Sequence, residues 1–230
     1  MRTAAVLPVK SFARAKQRLG ESVADPLRLE LARAMVADVL LALSQTEGIE
    51  RTIVVTREES VAAAARELGA LVVDDAAESG QSAAATLGIL LALAEGMERV
   101  LCVPGDCPAL DPVELGELLD GAAGGPDGAE VVIVPDRHGT GTNGLLLTPP
   151  QAIAPSFGPD SCERHRSLAR DAGAVCRLAS PQSLLLDIDT GADLAALRER
   201  LAGHHARAAR TRAVLGQPER TDIVPLTSPA

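Results

Sequence analysis

The stretch AAVLPVKSFARAKQRLGESVADPLRLELARAMVADVLLALSQTEGIERTIVVT, residues 4 to 56, decides the fold class. It opens on a continuous apolar run, AAVLPV, and closes on another, RTIVVT, each of the kind that forms a strand buried on both faces. Between them Asp25 and Pro26 read as an N-cap followed by proline at the first helical position, and Leu27, Leu31, Met35, Val39 and Leu43 recur every fourth residue. This spacing predicts a helix over about 26–45, and strand, helix and strand in that order predict a parallel βαβ unit.

Outward from this unit the pattern repeats. ALVVDD (70–75) and RVLCVPGD (99–106) are further strand-like runs, with helical segments at 58–68 and 79–95 and another from Asp111-Pro112 to the GAAGG turn at 121–125. EVVIVP (130–135) and GLLLTP (144–149) are separated only by DRHGTGTN, too short for a crossover helix. A hairpin or a wide excursion is expected there, and an antiparallel edge on a mostly parallel sheet would fit. The helix ERHRSLARDAG, the strand AVCRLA, a strand-like run SLLLDIDT (183–190) and the helix DLAALRERLAG follow. The expected fold is a three-layer α/β/α sandwich in one domain, residues 1–204, with 205–230 as a poorly ordered tail.

Composition narrows the chemistry. Hydrophobic residues make up 47% of the chain and aromatics 1%, so the core rests on Ala, Leu and Val, and aromatic platforms for stacking bases are scarce. A net charge of -9 argues against a nucleic-acid backbone as partner. No apolar run approaches the roughly 18–20 residues that span a bilayer, and MRTAAVLPVK reads as a first strand, which makes a cytoplasmic protein without a membrane partner the expectation. Cys102, Cys107, Cys162 and Cys176 show no metal-ligand spacing and are expected as reduced thiols.

In such sheets ligands bind beyond the carboxyl ends of the strands, so polar residues at strand ends are the candidates. Lys10 and Lys16 are the only lysines of the chain, and with Arg14 and Arg18 they place four cations just after the first strand, an attractor for phosphate. Asp106 follows the strand 99–106 in a Pro-Gly-Asp turn. Asp187 and Asp189, two apart on a strand, would share a face and repel unless a cation such as Mg2+ lay between them. Asp189 or Thr190 would alternatively cap the last helix. The loops GTGTNG (139–144) and SFGPDS (156–161) offer a nest of backbone amides, with hydroxyls from Thr142 and Ser161, and Ser161 would alternatively cap the following helix. His138, His165, His204 and His205 read as exposed. Hydrolase, dehydrogenase and P-loop fingerprints are absent from the sequence.

Taken in order, LPVKSFARAKQRL, PGDCPAL, DRHGTGTNGL, SFGPDSCERH and LDIDTGADL resemble the CofC/FbiD family of guanylyltransferases over roughly residues 3–200. The resemblance implies a Rossmann-like nucleotidyltransferase fold with a mostly parallel mixed sheet. It further implies transfer of GMP from GTP to phosphoenolpyruvate, or to 2-phospho-L-lactate, with release of pyrophosphate, in coenzyme F(420) biosynthesis. Carried onto this sequence, it assigns Mg2+ to Asp106, Asp187 and Asp189, and the acceptor acid to Thr142, Gly158 and Ser161. It assigns nucleotide binding to Lys10, Lys16, Gly80 and Ser82, although Gly80-Gln81-Ser82 stands where many members carry Gly-Leu-Asn. Lys16, assisted by Lys10 and Arg14, would stabilise charge on the transferring phosphate. Another acceptor, such as molybdopterin or a sugar phosphate, and a non-catalytic nucleotide-binding module are the alternatives. The oligomeric state is left open, a dimer included.

Overall fold

The computed structural model describes residues 1–12, 25–122, 128–202 and 207–216. Arg14, Lys16, Arg18, His204 and His205 therefore lie outside the described residues.

The opening βαβ unit forms as its sequence dictates: β1 (Thr3–Val9), α1 (Asp25–Gln45) and β2 (Arg51–Thr56), with β1 and β2 parallel. Then come α2 (Glu59–Glu67), β3 (Leu71–Val73), α3 (Gln81–Ala94), β4 (Arg99–Cys102), α4 (Pro112–Gly121), β5 (Glu130–Pro135), β6 (Thr142–Thr148), α5 (Ser161–Asp171), β7 (Val175–Leu178), α6 (Gly191–Leu201) and α7 (Ala209–Leu215). The seven strands make a mixed sheet of order β3-β2-β1-β4-β6-β5-β7, in which β6 alone runs against its neighbours. Asp111 caps α4 by accepting from Val113 N–H at 3.0 Å, with Pro112 at the first helical position.

Alternate residues of each strand enter opposite cores, as the two-residue period requires. Ala5, Leu7, Val54, Leu101 and Leu146 pack under α1, α2 and α4, while Ala4, Val6, Ile53, Val100 and Leu145 pack under α3 and α5. A repeat of four on a helix drifts by about 40° per step. The α1 stripe accordingly winds from Leu31 and Met35, which meet α6 and α7, to Val39 and Leu43 against the sheet. Arg99, buried and lowered in pKa by that burial, ties the sheet to the end of α4 by donating to the carbonyls of Leu119 (2.6 Å) and Ala122 (3.0 Å).

Three expectations are corrected. The antiparallel strand is not at an edge: β6 lies between β4 and β5, and the edge strands are β3 and β7. SLLLDIDT is not a strand, because after a 3-10 turn over Gln182–Leu184 the chain runs irregularly to Thr190. Within the segment read as a loose tail, α7 packs on α1, with Val214 buried. Its first turn is held by the buried Asp38 carboxylate, which accepts from Thr211 N–H at 2.8 Å and Arg210 N–H at 3.2 Å. A carboxylate facing the amides of a helix N-terminus is a strong anchor.

Candidate active site

From β1 the chain steps outward to β2 and β3 on one side, then returns to place β4 on the other. The carboxyl ends of β1 and β4 thus part company, and a cleft of about 310 Å³ opens there. Val9 and Lys10 line it from β1, Pro104, Gly105 and Asp106 from β4, and Gln81 from the start of α3. Glu58 fixes the lip by accepting from Phe12 N–H at 2.7 Å, with the Arg33 guanidinium 5.9 Å from the Phe12 ring centre. Gly105 fits closely here, since a Cβ there would stand 3.0 Å from Val36 Cγ2. Gly80, at φ 105°, precedes the first amides of α3, which leave donors for an anion at this mouth.

The carboxylates meet by a backbone stitch. Ile188 N–H donates to the Asp106 carbonyl at 3.1 Å, which draws the segment 187–189 over the end of β4. Asp187 Oδ1 accepts from Asn143 Nδ2 at 3.2 Å. The Asp187 carboxyl is pushed up, first by burial and then by the negative charge of Asp106, with Asp189 a smaller contributor. Asp189 lines the cleft. Thr190, not Asp189, caps α6, in a capping box with Asp193. Asp193 Oδ2 also accepts from Asp189 N–H at 3.1 Å, and its Oδ1 pairs with Arg137 at 2.5 Å.

Because 187–189 is irregular, Asp187 and Asp189 do not share a strand face. Among the described residues no group of three or more His, Cys, Asp and Glu side chains closes into a metal cage. The donors instead fit a divalent cation of the magnesium type, held by one or two carboxylates and otherwise by water and substrate phosphate. Asp187, whose ionisation the negative charge of Asp106 already makes costlier, and Asp106 itself are the pair that could hold it.

On the far side of Asp187 lies a second polar constellation. Pairing between β5 and β6 joins Val134 to Gly144 and Pro135 to Thr142, so Asn143 is an extra residue, a bulge. Strict alternation back from Leu145 would turn Asn143 toward α5. The bulge aims it at Leu184, whose carbonyl it reaches at 3.0 Å, and at Asp187. Gly144 is tight there, because a Cβ would lie 2.8 Å from Leu184 Cδ2 and 3.0 Å from Val134 Cβ.

Thr142 points the other way, its Oγ1 3.0 Å from Nδ1 of His165 on α5. His165 is fully buried, which corrects the reading of it as exposed. Its Nε2 accepts from Ser156 N–H at 2.8 Å, and its ring meets Phe157 edge to face at 5.3 Å. Burial, helped by Arg164, pushes its pKa down to about 4. The buried side of α5, Ser161, Cys162, His165 and Ala169, recurs at helical spacing, a signal in the sequence that could have set this histidine inward. The unfolded chain binds this proton near pH 6.5 and the folded one only near 4, so stability is full above 6.5 and falls on acidification through that window. Melting followed from pH 7 to 4.5 is expected to show this loss, and a smaller one in His165→Asn.

The remaining candidates divide. Ser161 Oγ is buried with no hydrogen-bond partner among the described residues, and it does not cap α5, whose N-cap position is Asp160. Gly158 takes φ 114° and its carbonyl accepts from Ser161 N–H. Ser82 Oγ accepts from Phe157 N–H at 2.8 Å, which makes it a tether of the loop 156–161. The amides of GTGTNG do not form an outward nest throughout: Gly139 N–H donates to the Asp136 carbonyl and Thr140 N–H to Asp136 Oδ1. The cleft gathers Lys10, Asp106 and Asp189, whereas Gly80, Ser82, Thr142, Gly158, Ser161 and Asp187 are not among its lining. All four cysteines are free thiols. Among the described residues no helix is long and apolar enough to cross a membrane.

The model of the family "Guanylyl transferase CofC like" matches residues 3–213. A phosphoenolpyruvate guanylyltransferase from Conexibacter woesei is 48% identical over 224 residues, covering 96% of this chain and 99% of that one. A protein of the same name from Sphaerobacter thermophilus is 36% identical, covering 89% and 94%. Among solved structures, a nucleotide-diphospho-sugar transferase from Desulfovibrio desulfuricans G20 superposes with a TM-score of 0.73 at 18% identity, covering 94% of each chain, a likeness of fold. The fold is the Rossmann-like α/β fold of nucleotidyltransferases, and the chain belongs to the CofC-like guanylyl transferase family.

Proposed function

We propose that this enzyme transfers GMP from GTP to phosphoenolpyruvate, giving enolpyruvyl-diphospho-guanosine and pyrophosphate for coenzyme F(420) biosynthesis in the cytoplasm. The observation that carries the reading is the meeting, in one cleft, of Lys10 and the α3 amides with the carboxylate end of β4, in a chain alike along nearly its whole length to proteins named for this activity. The acceptor phosphate is already ionised at neutral pH, so no protein nucleophile is required. Its oxygen bonds to the α-phosphorus of GTP as the bond from that phosphorus to the bridging oxygen of pyrophosphate breaks.

Two anions must approach, and catalysis is mostly positioning and charge. Lys10 and the first amides of α3 neutralise the triphosphate, with Lys16 and Arg14 on the segment outside the described residues. Asp106 and Asp187 would hold Mg2+, and Asp189 lines the cleft beside them. When bound, that ion supplies positive charge to both phosphates. Asn143 orients Asp187, and Thr142, Gly158 and Ser161 receive the acid.

Purified protein with Mg2+ is expected to release pyrophosphate with GTP and phosphoenolpyruvate together, and not with ATP or CTP. Equal rates with neither acceptor present count against the reading, and a preference for 2-phospho-L-lactate changes the acceptor.

A further inference from the structure

We propose that His165 is the positioning residue of the acceptor subsite, fixing the Thr142 hydroxyl as a hydrogen-bond donor toward the anionic acid. The inference rests on the acceptor assignment of Thr142 given above. Its geometry is independent of it.

A backbone N–H can only donate, so the 2.8 Å contact from Ser156 N–H makes His165 Nε2 an acceptor. A neutral imidazole with Nε2 bare carries its proton on Nδ1. That proton is donated to Thr142 Oγ1 over 3.0 Å. The threonine oxygen is thereby engaged as an acceptor, and its own proton is left to be given away. An anion is the partner such a hydroxyl suits, whereas a hydrogen-bond donor on the ligand would find no match.

A second buried hydroxyl lies close by. Ser161 precedes His165 by one helical turn on the same face of α5, and its Oγ has no partner among the described residues. The Cys162 N–H donates to the Thr140 carbonyl at 3.0 Å, which ties this end of α5 to the start of β6. Two hydroxyls, one engaged by His165 and one without a partner among the described residues, thus belong to the joined start of α5 and start of β6.

Structural anchoring of the loop does not account for the histidine. Arg164 already holds the loop, donating to Ser156 Oγ at 3.1 Å, the Ser156 carbonyl at 3.0 Å and the Phe157 carbonyl at 3.3 Å. Ser82 holds it again through Phe157 N–H. The bond to Ser156 therefore has several substitutes, and no other bond to Thr142 Oγ1 is recorded among the described residues.

Two isosteric variants separate the roles. His165→Asn keeps an amide nitrogen at the place of Nδ1 and loses the acceptor for Ser156. His165→Gln keeps an oxygen at the place of Nε2 and loses the donor to Thr142. In steady-state assays of pyrophosphate release, His165→Gln is expected to raise KM for phosphoenolpyruvate about 10- to 100-fold, the scale of one hydrogen bond to a charged group. KM for GTP should stay within about threefold, and His165→Asn should stay near the parent for both. The reverse order, Asn impaired and Gln intact, overturns the proposal and leaves His165 an anchor of the loop. So does an equal fall in both variants with unchanged KM values. Nitrogen-15 NMR of the parent ring at neutral pH decides the point even if neither variant folds: a neutral ring protonated on Nδ1 supports the proposal, and an Nε2-protonated ring or an imidazolium sinks it. A parent protein inactive with phosphoenolpyruvate speaks against the proposed function instead, and the tautomer still tests this inference.

Discussion

Asp187→Asn is expected to lower guanylyl transfer by about 10³-fold or more while leaving the fold intact, the scale of removing a group that organises charge in a transition state. The substitution keeps the oxygen that accepts from Asn143 Nδ2, so the 143–187 contact survives. What disappears is the negative charge. In the parent, burial and Asp106 hold the Asp187 carboxyl above its ordinary range. The unfolded chain therefore ionises more readily there than the folded one. The penalty on folding sets in as pH rises past the unfolded value, is full above the folded one, and lifts as pH falls back through that window.

Without metal, Asn at 187 removes that penalty, and the variant should melt no lower than the parent near pH 7. Added Mg2+ should raise the parent's melting temperature, by the equivalent of about 2.7 kcal/mol at a hundredfold excess over Kd, and raise the variant's less. Turnover within tenfold of the parent, or a clear drop in melting temperature, would remove Asp187 from the proposed metal pair.

Gly88→Ala is expected to destabilise the protein by about 1–3 kcal/mol, a fall of roughly 2–10 °C in Tm. The sign is informative. On an exposed helix, Gly to Ala gains about 1 kcal/mol. Gly88, however, is where α3 lies against the sheet, and a Cβ would stand 2.4 Å from Val6 Cγ1, 3.1 Å from Val6 Cγ2 and 3.2 Å from Val55 Cγ2. Both valines sit in adjacent central strands and are stiff at χ1, so neither can turn away cheaply. Any relief must come from lifting α3, whose first turn borders the cleft. A rise in Tm on this substitution would show that the helix tolerates a wider spacing.

Elements formed by nearby residues were legible in the sequence. The continuous apolar runs and the α1 stripe predict the parallel strands and their crossover, and the strand-end rule brings Lys10 and Asp106 to one cleft, where both lie. What escaped depends on distant partners. A reader of SLLLDIDT alone counts an apolar run of strand length, but the backbone donor of Ile188 is taken by Asp106 and not by a neighbouring strand. His165 looks polar until the helical period sets it beside Cys162 and Ala169. The 209–215 helix has little periodicity of its own, and its anchor, Asp38, lies on α1. Nothing in EVVIVP or GLLLTP says that β6 will slip between β4 and β5.

The extra residue in β6 sets a dimension. Thr142 serves one face of the sheet and Asn143 the other, so the side chain before His165 and the one before Asp187 are consecutive on the chain. Their Cα atoms are about 3.8 Å apart whatever the helices do. A helix that shifts on ligand binding can open or close either side, but the interval between the two is written in a peptide bond. The sheet acts there as a ruler, and its graduation cannot stretch.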